Sequence, residues 1–454
     1  MKSINPYNNQ LIKEYTPYSP SQVKTIIEGV DQAWGSWKET EIKKRAALIS
    51  KVSDVLLEGG DEYARMMSLE MGKVIKEALG EIEKCALLCR YYAESSEDIL
   101  TDQFIKTDYT KSFVTFQPIG IVLAVMPWNF PYWQVMRFAV PCLMAGNAAI
   151  LKHASNVQGC GLMVEEIFRK AGLPKNIFRT LVIPSSRVDA VIMDPLVKAV
   201  TLTGSEAAGM SVAATAGKQL KKSVMELGGS DPFIVLEDAD IDKAVEVSVL
   251  SRTLNVGQVC IAAKRFIVVE SVVDEFTHKH GKKMASMIMG DPLDEKTQLA
   301  PMARPEFVDD IHEQVEKSVA MGARLVTGGF RPNFPGNFYP PTVLAGVKKG
   351  MPVYDEETFG PVSAIIAVRD EAEAIQVAND TKFGLGASVW TRGKERGERV
   401  ARRLESGMVF VNSLVASNPK LPFGGTKRSG YGRECAEHGL KEFVNIKTVC
   451  VQQV

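Results

Sequence analysis

The sequence is short of the features that would classify it at a glance. It has no excess charge: Lys+Arg and Asp+Glu each number 54 in 454 residues, for a formal net charge of zero. That excludes the basic surface of a nucleic-acid binder and the polybasic face that seeks anionic lipid. It has no long hydrophobic run. Stretches such as 119–126 fall far below the ~20 apolar residues that a bilayer requires, so no membrane partner is expected. The opening Met-Lys-Ser-Ile-Asn-Pro lacks the apolar core of a secretory signal. Histidine is scarce, with five residues and no metal-ligand spacing, and His278 and His280 read as part of a solvated helix face. The seven cysteines (85, 89, 142, 160, 260, 435 and 450) are odd in number and form no Cys-x-x-Cys. A disulfide framework and a zinc site are thereby disfavoured, and reduced thiols in a cytoplasmic protein fit better. Gly-x-Gly-x-x-Gly is absent too, as are short-period repeats and low-complexity segments.

What remains is an ordinary globular composition, 45% hydrophobic and 24% charged, on a chain too long for one core. Residues 21–96 are patterned as helix, and 101–118 as a projecting hairpin. From Gly120 strands and helices alternate, with strands expected at 121–125, 148–151, 178–183, 199–202 and 223–227. That alternation predicts a parallel doubly wound sheet, which binds ligands at the carboxyl ends of its strands. Gly228-Gly229-Ser230-Asp231-Pro232 breaks the pattern and marks a boundary. A second α/β region follows, with strands at 233–236, 265–269, 361–368, 387–390 and 407–411 and Gly/Pro-rich loops at 328–341 and 421–432. The tail, 443–451, is again a strand.

Several residues could carry chemistry. Cys260 lies on a short loop containing Gly257, ahead of the buried-strand pattern Phe266-Ile-Val-Val269. Such a thiol is either a nucleophile or an inert buried cysteine. Asn129, held between Pro127 and Pro131 after a parallel strand, can donate to an oxyanion or simply close a turn. Glu226, flanked by Met225 and Leu227, is a desolvated general base or a paired structural glutamate. Thr203-Gly204-Ser205 opens a helix after a strand, a plausible diphosphate seat. Lys152 follows another strand and either reaches a ribose or phosphate or is solvated.

Taken in order, Pro118-Ile-Gly120, Pro127-Trp-Asn-Phe-Pro131, Thr203-Gly-Ser205, Glu226-Leu-Gly-Gly229, Gly257-Gln-Val-Cys260, Glu357-Thr-Phe-Gly-Pro361 and Pro422-Phe-Gly-Gly-Thr-Lys-Arg-Ser-Gly430 resemble the aldehyde dehydrogenase superfamily. The resemblance is to its NAD(P)-dependent, non-CoA-acylating branch and spans nearly the whole chain. It implies an aldehyde dehydrogenase-like α/β fold. Residues 1–100 and 119–227 would form a discontinuous Rossmann-type cofactor domain, 228–432 an α/β catalytic domain, and 101–118 with 433–454 a small β oligomerisation element of a homodimer or homotetramer. It also implies roles. Cys260 attacks the aldehyde, Asn129 and the Cys260 N–H hold the oxyanion, and Glu226 activates water against the thioester. NAD or NADP is held by Trp128, Lys152, Ser155, Gly204, Ser205, Glu357 and Phe359.

Two positions bear on specificity. Many NAD-specific members carry a glutamate three residues after the Lys152 position. Here Ser155 stands there and does not repel a 2′-phosphate. Arg137, eight residues after Asn129, and Ser417 match the substrate-carboxylate residues of succinate-semialdehyde dehydrogenases, which this chain resembles most. The second arginine of that group is replaced by Leu254, and Arg252 is the nearest substitute. The expected reaction is therefore oxidation of a small aldehyde, succinate semialdehyde first. Another small aliphatic aldehyde, or esterase or thioesterase chemistry at the same cysteine, stands as the alternative.

Overall fold

A computed structural model describes residues 1–453; Val454, the end of the expected oligomerisation element, lies outside the described residues. The N-terminal region is helical, with helices at Pro20–Trp37, Ile42–Glu58, Gly60–Met71 and Ile75–Ile99. The first starts at a capping box, Ser19 and Gln22 satisfying each other's backbone N–H groups, with Pro20 in the first turn. The first packs on strands of a six-stranded sheet, and the next three pack on one another and on the helices Trp133–Met144 and Gln158–Lys170. The sheet order is Gly430–Tyr431, Lys222–Glu226, Val197–Thr203, Ile121–Met126, Ala148–His153, Phe178–Thr180. All neighbours are parallel except the two-residue strand Gly430–Tyr431. The strands on either side of Ile121–Met126 are reached in opposite directions. The switch point, where such sheets open a crevice for ligands, therefore lies between Ile121–Met126 and Val197–Thr203.

The chain crosses through residues 227–230 into a seven-stranded sheet. Its order is Arg324–Thr327, Thr342–Ala345, Val362–Val368, Ala263–Val269, Asp231–Val235, Gly386–Trp390, Met408–Val411. Two of these strands were not expected. Arg324–Thr327 and Thr342–Ala345 flank a Gly/Pro-rich loop that masks so short a strand pattern. The central strands Asp231–Val235 and Ala263–Val269 are buried on both faces, hence the apolar runs Phe233-Ile-Val235 and Phe266-Ile-Val-Val269 within them. The hairpin appears as Gln103–Phe104 and Lys111–Pro118. Val444–Val451 pairs antiparallel along the whole of Lys111–Pro118, from Val444 opposite Pro118 to Val451 opposite Lys111.

One expectation fails outright. His280 is fully buried, not solvated, while His278 is exposed. The His280 ring bridges Ser248 Oγ (2.8 Å) and Ser363 Oγ (2.9 Å) and stacks on Phe276. Burial holds its pKa down at about 3, so it is a neutral core histidine. Among the described residues no cluster of His, Cys, Asp and Glu could hold a metal, and no helix is long and apolar enough to cross a membrane.

Candidate active site

The site lies where the carboxyl edge of the first sheet meets the amino edge of the second. Glu226 ends the strand Lys222–Glu226, and Cys260 lies just before Ala263–Val269. The cysteine loop has an unusual backbone. Asn255 (φ 49°), Val256 (φ 60°) and Gly257 (φ 73°) are consecutive left-handed residues. For a β-branched valine this costs on the order of 1–3 kcal/mol, which the surroundings must offset. Glu77 accepts the Asn255 N–H (2.9 Å), Asn255 Nδ2 donates to the Asn129 carbonyl (2.8 Å), and Gln258 Nε2 donates to the Asn255 carbonyl (3.1 Å). Gly257 is required twice over, since a Cβ there would also lie 2.3 Å from the Gly360 carbonyl oxygen.

Asn129 is buried and oriented. Gln134 Nε2 donates to its Oδ1 (3.0 Å), so its NH2 end faces the cysteine loop, where it donates to the Gln258 carbonyl (2.9 Å). One N–H remains, with no acceptor among the described residues. The loop carrying Asn129 is anchored below by Glu81, which accepts the Tyr132 and Trp133 N–H groups (2.9 Å each) and pairs with buried Lys73.

Cys260 is half-buried and unpaired. Burial pushes its thiol up to about 12, against the opposing charges of Arg137 and Lys264. At neutral pH the sulfur therefore carries its proton. Glu226 is buried, and neither carboxylate oxygen has a hydrogen-bond donor among the described residues. Burial, and then the nearby Glu434, drive its pKa far above the usual carboxylate range, with Arg137 and Arg433 opposing. Glu434, also buried and also raised, is ion-paired with Arg137. Two carboxyls thus share the field of Arg137, with Arg433 also acting on Glu226. Gly424 closes over this group, where a Cβ would come within 2.6 Å of Glu226 Oε1.

A pocket of about 100 Å³ opens beside the thiol. Cys260, Arg137, Ser417, Lys84, Gln134 and Ser251 are its polar residues, and Trp133 and Leu254 are among its apolar walls. Arg137 stacks its guanidinium on Phe423, 4.1 Å from the ring centre. Arg252 does not reach the pocket. Its guanidinium is buried elsewhere and donates to the Gly257 carbonyl (2.6 Å). The second cation is Lys84, on the helix Ile75–Ile99. Its Nζ lies 2.7 Å from Ser417 Oγ and 4.2 Å from the Trp133 ring centre.

The crevice at the switch point holds the other expected residues. Trp128 stacks on Phe307 (4.9 Å) and meets Phe359 edge-on (5.9 Å). Lys152, only 7% exposed, has no hydrogen-bond or ion-pair partner among the described residues. Ser155 begins the turn after its strand, and Arg304 Nη2 approaches the Ser155 hydroxyl (3.4 Å). Gly204 bonds back to the Glu226 carbonyl (3.0 Å). Ser205 caps the helix Glu206–Lys218, accepting the Ala208 N–H. Glu357 pairs with Lys264 (3.2 Å) and accepts the Gly229 N–H (3.1 Å). Glu77, Glu81, Lys84, Arg304 and Glu434 were not singled out from the sequence.

Known proteins match this arrangement along the whole chain. The sequence pattern of the Aldehyde dehydrogenase family covers residues 1–449. The chain is 47% identical over 449 residues to the probable succinate-semialdehyde dehydrogenase (NADP+) of Synechocystis sp., covering 99% of both chains. It is 45% identical over 452 residues to succinate-semialdehyde dehydrogenase (NADP+) 1 of Mycobacterium tuberculosis, again covering 99% of both. The crystal structure of succinic semialdehyde dehydrogenase from Streptococcus pyogenes with NADP+ superposes with a TM-score of 0.98 at 39% identity, covering 100% of both chains. With a family pattern running from residue 1 to 449, relatives of this identity over the full length and the same backbone, the chain belongs to the aldehyde dehydrogenase family.

Proposed function

We propose that the chain oxidises succinate semialdehyde to succinate with NADP+, through a covalent intermediate on Cys260. The observation that carries this reading is one small pocket holding the Cys260 thiol together with Arg137 and Ser417. A guanidinium recognises a carboxylate by direction as well as charge. A buried cation facing a small cavity favours an aldehyde with an anionic tail over an uncharged one. The names of the relatives agree with that choice.

The chemistry follows from the residues. The Cys260 thiol gives its proton to solvent water, its sulfur adds to the aldehyde carbon, and the carbonyl oxygen becomes an oxyanion. Asn129 Nδ2 and the Cys260 backbone N–H are the donors for that charge, and Gln134 fixes the asparagine in advance. When bound, the nicotinamide accepts the hydride that leaves this carbon, so the adduct becomes a thioester. Glu226, once deprotonated, takes a proton from water as the water oxygen attacks the thioester; the C–S bond breaks, the acid leaves, and the proton passes from Glu226 to the departing sulfur.

The crevice suits the cofactor. Lys152 is a buried cation with no acceptor among the described residues, and no acidic side chain stands at position 155. Lys152, Ser155 and Arg304 would receive a 2′-phosphate, Gly204 and Ser205 the diphosphate, and Glu357 with Phe359 the nicotinamide end. Ser155→Glu places a negative charge at this seat. Like-charge repulsion of a few kcal/mol is expected, so NADP+ binding weakens on the order of a hundredfold while NAD+ binding does not. Titration of intrinsic tryptophan fluorescence with each cofactor checks this; equal weakening of both would remove Ser155 as the discriminating position.

The substrate is tested by comparing succinate semialdehyde with butanal at steady state. The charged aldehyde is expected to have much the higher kcat/KM. Arg137→Met keeps most of the side-chain volume and should lower that selectivity about a hundredfold, since cutting a buried charge pair costs about 2–5 kcal/mol. Equal losses for the two aldehydes would reject the carboxylate clamp.

A further inference from the structure

We infer that Lys84 is the second cation of the substrate pocket and a determinant of specificity for aldehydes that end in a carboxylate. The inference deepens the proposed reading and rests on it. It arises from a gap. The pocket has Leu254 where a second arginine was expected, and Arg252 is committed to the Gly257 carbonyl. A short monoanionic substrate held by Arg137 alone would compete with Glu434 for the same guanidinium. Lys84 has no such competitor. Among the described residues its Nζ contacts the Ser417 hydroxyl (2.7 Å) and the face of Trp133, and no carboxylate pairs with it. A hydroxyl that accepts from Lys84 has its own proton free to donate into the pocket. Lys84 and Ser417 together can thus present two donors to one carboxylate.

The placement follows from the helix. In Ile75–Ile99 the side chains at 77, 81 and 84 are spaced four and three apart and share a face. Glu77 holds the Asn255 N–H, Glu81 holds the Tyr132 and Trp133 N–H groups, and Lys84 reaches the pocket one turn further on. The same rigid element that sets the cysteine loop and the Asn129 loop therefore also fixes the distance from thiol to ammonium. That distance selects chain length, which a flexible surface lysine could not do.

The charges around Lys84 agree. Arg137 faces it from the helix Trp133–Met144, Cys435 from the segment before the helix Ala436–Lys441, and Cys85 and Glu81 from its own helix. Burial, and then the repulsion of Arg137, hold its ammonium at about 8. Two cations side by side are costly until an anion arrives between them. The sign is fixed: below about pH 8 Lys84 is charged and attracts the carboxylate, and above it the attraction fades.

The test uses the full-length protein with Lys84→Met and Lys84→Arg, succinate semialdehyde and butanal, at pH 6.5 to 9.5. In the unaltered protein KM for succinate semialdehyde should rise as pH passes about 8. Lys84→Met should raise that KM roughly 10- to 100-fold, more than it lowers kcat, and abolish the rise. Lys84→Arg, which stays charged throughout, should restore the low KM and remove the pH dependence. Thermal melting and NADP+ titration of both variants separate a folding defect from a lost contact. A charged-aldehyde preference that survives Lys84→Met overturns the role of Lys84. Absence of that preference in the unaltered protein overturns instead the carboxylate-substrate reading on which it rests.

Discussion

Cys260→Ala should end aldehyde oxidation, lowering kcat on the order of 10⁶-fold, as loss of a covalent nucleophile does elsewhere. NADP+ binding should survive, because the crevice residues lie on other loops. The fold should survive as well. Cys260 is half-buried, and its loop is held by Glu77, Asn129 and Gln258 through backbone groups that the substitution does not touch. A cost of about 1 kcal/mol is the ordinary size for such a change. Absorbance of the reduced cofactor measures the loss, and tryptophan fluorescence, with Trp128 in the crevice, measures the retained binding. Sustained production of reduced cofactor by the variant would remove Cys260 as nucleophile. The pH profile of the unaltered enzyme carries the second half of the test. The thiol stands at about 12 because burial outweighs Arg137 and Lys264, so attack needs its proton removed and the rate should climb as pH rises above neutral.

The parts of this site that were legible in the sequence are those whose chemistry is local. Asn129 sits between two prolines, Cys260 follows a glycine turn, and Glu226 ends an apolar strand; each pattern is complete within a few residues. The alternation of strand and helix gave the doubly wound sheet for the same reason, since periodicity is a local property. What was not legible depends on partners far along the chain. Glu77, Glu81 and Lys84 read as the charged face of an ordinary amphipathic helix. Their burial is decided by Asn255, Tyr132 and Ser417, which lie 178, 51 and 333 positions away. Arg304 and Glu434 were hidden in the same way, Arg304 in a loop with no motif around it and Glu434 just past the end of the Pro422–Gly430 motif. His280 was misread because its neighbours Lys279 and Lys282 are polar. The ring turns inward on the face shared with Phe276, a spacing of four that was there to be counted. Arg252 shows the converse error. It lay close in sequence to the expected arginine, but it points to the Gly257 carbonyl.

Glu226→Gln should stall the enzyme after one turnover's worth of oxidation. The substitution is nearly isosteric, and the carboxyl it replaces has no hydrogen-bond donor among the described residues, so no contact is broken and folding should be unaffected. What changes is chemical. An amide cannot accept the proton of the attacking water, and loss of a general base typically costs 10²–10⁴-fold. Mixing the variant with NADP+ and aldehyde should give a burst near one equivalent of reduced cofactor per site, then a steady rate lower by about that factor. Acid quench during the slow phase should trap the acyl group on the Cys260 peptide. The sign of the pH dependence follows from the burial of the carboxyl and from Glu434. Both favour the protonated form, so the active base fraction grows as pH rises through the raised pKa. Steady-state turnover of the unaltered enzyme should rise with it, and that of Glu226→Gln should lose this component. The pair also explains why Glu434 stands where it does. Even with Arg137 and Arg433 nearby, a proton removed from Glu226 leaves two buried carboxylates close together, which keeps its pKa raised. Equal steady-state rates for the variant and the unaltered enzyme at every pH would reject Glu226 as the required base and leave the raised carboxyl without a catalytic use.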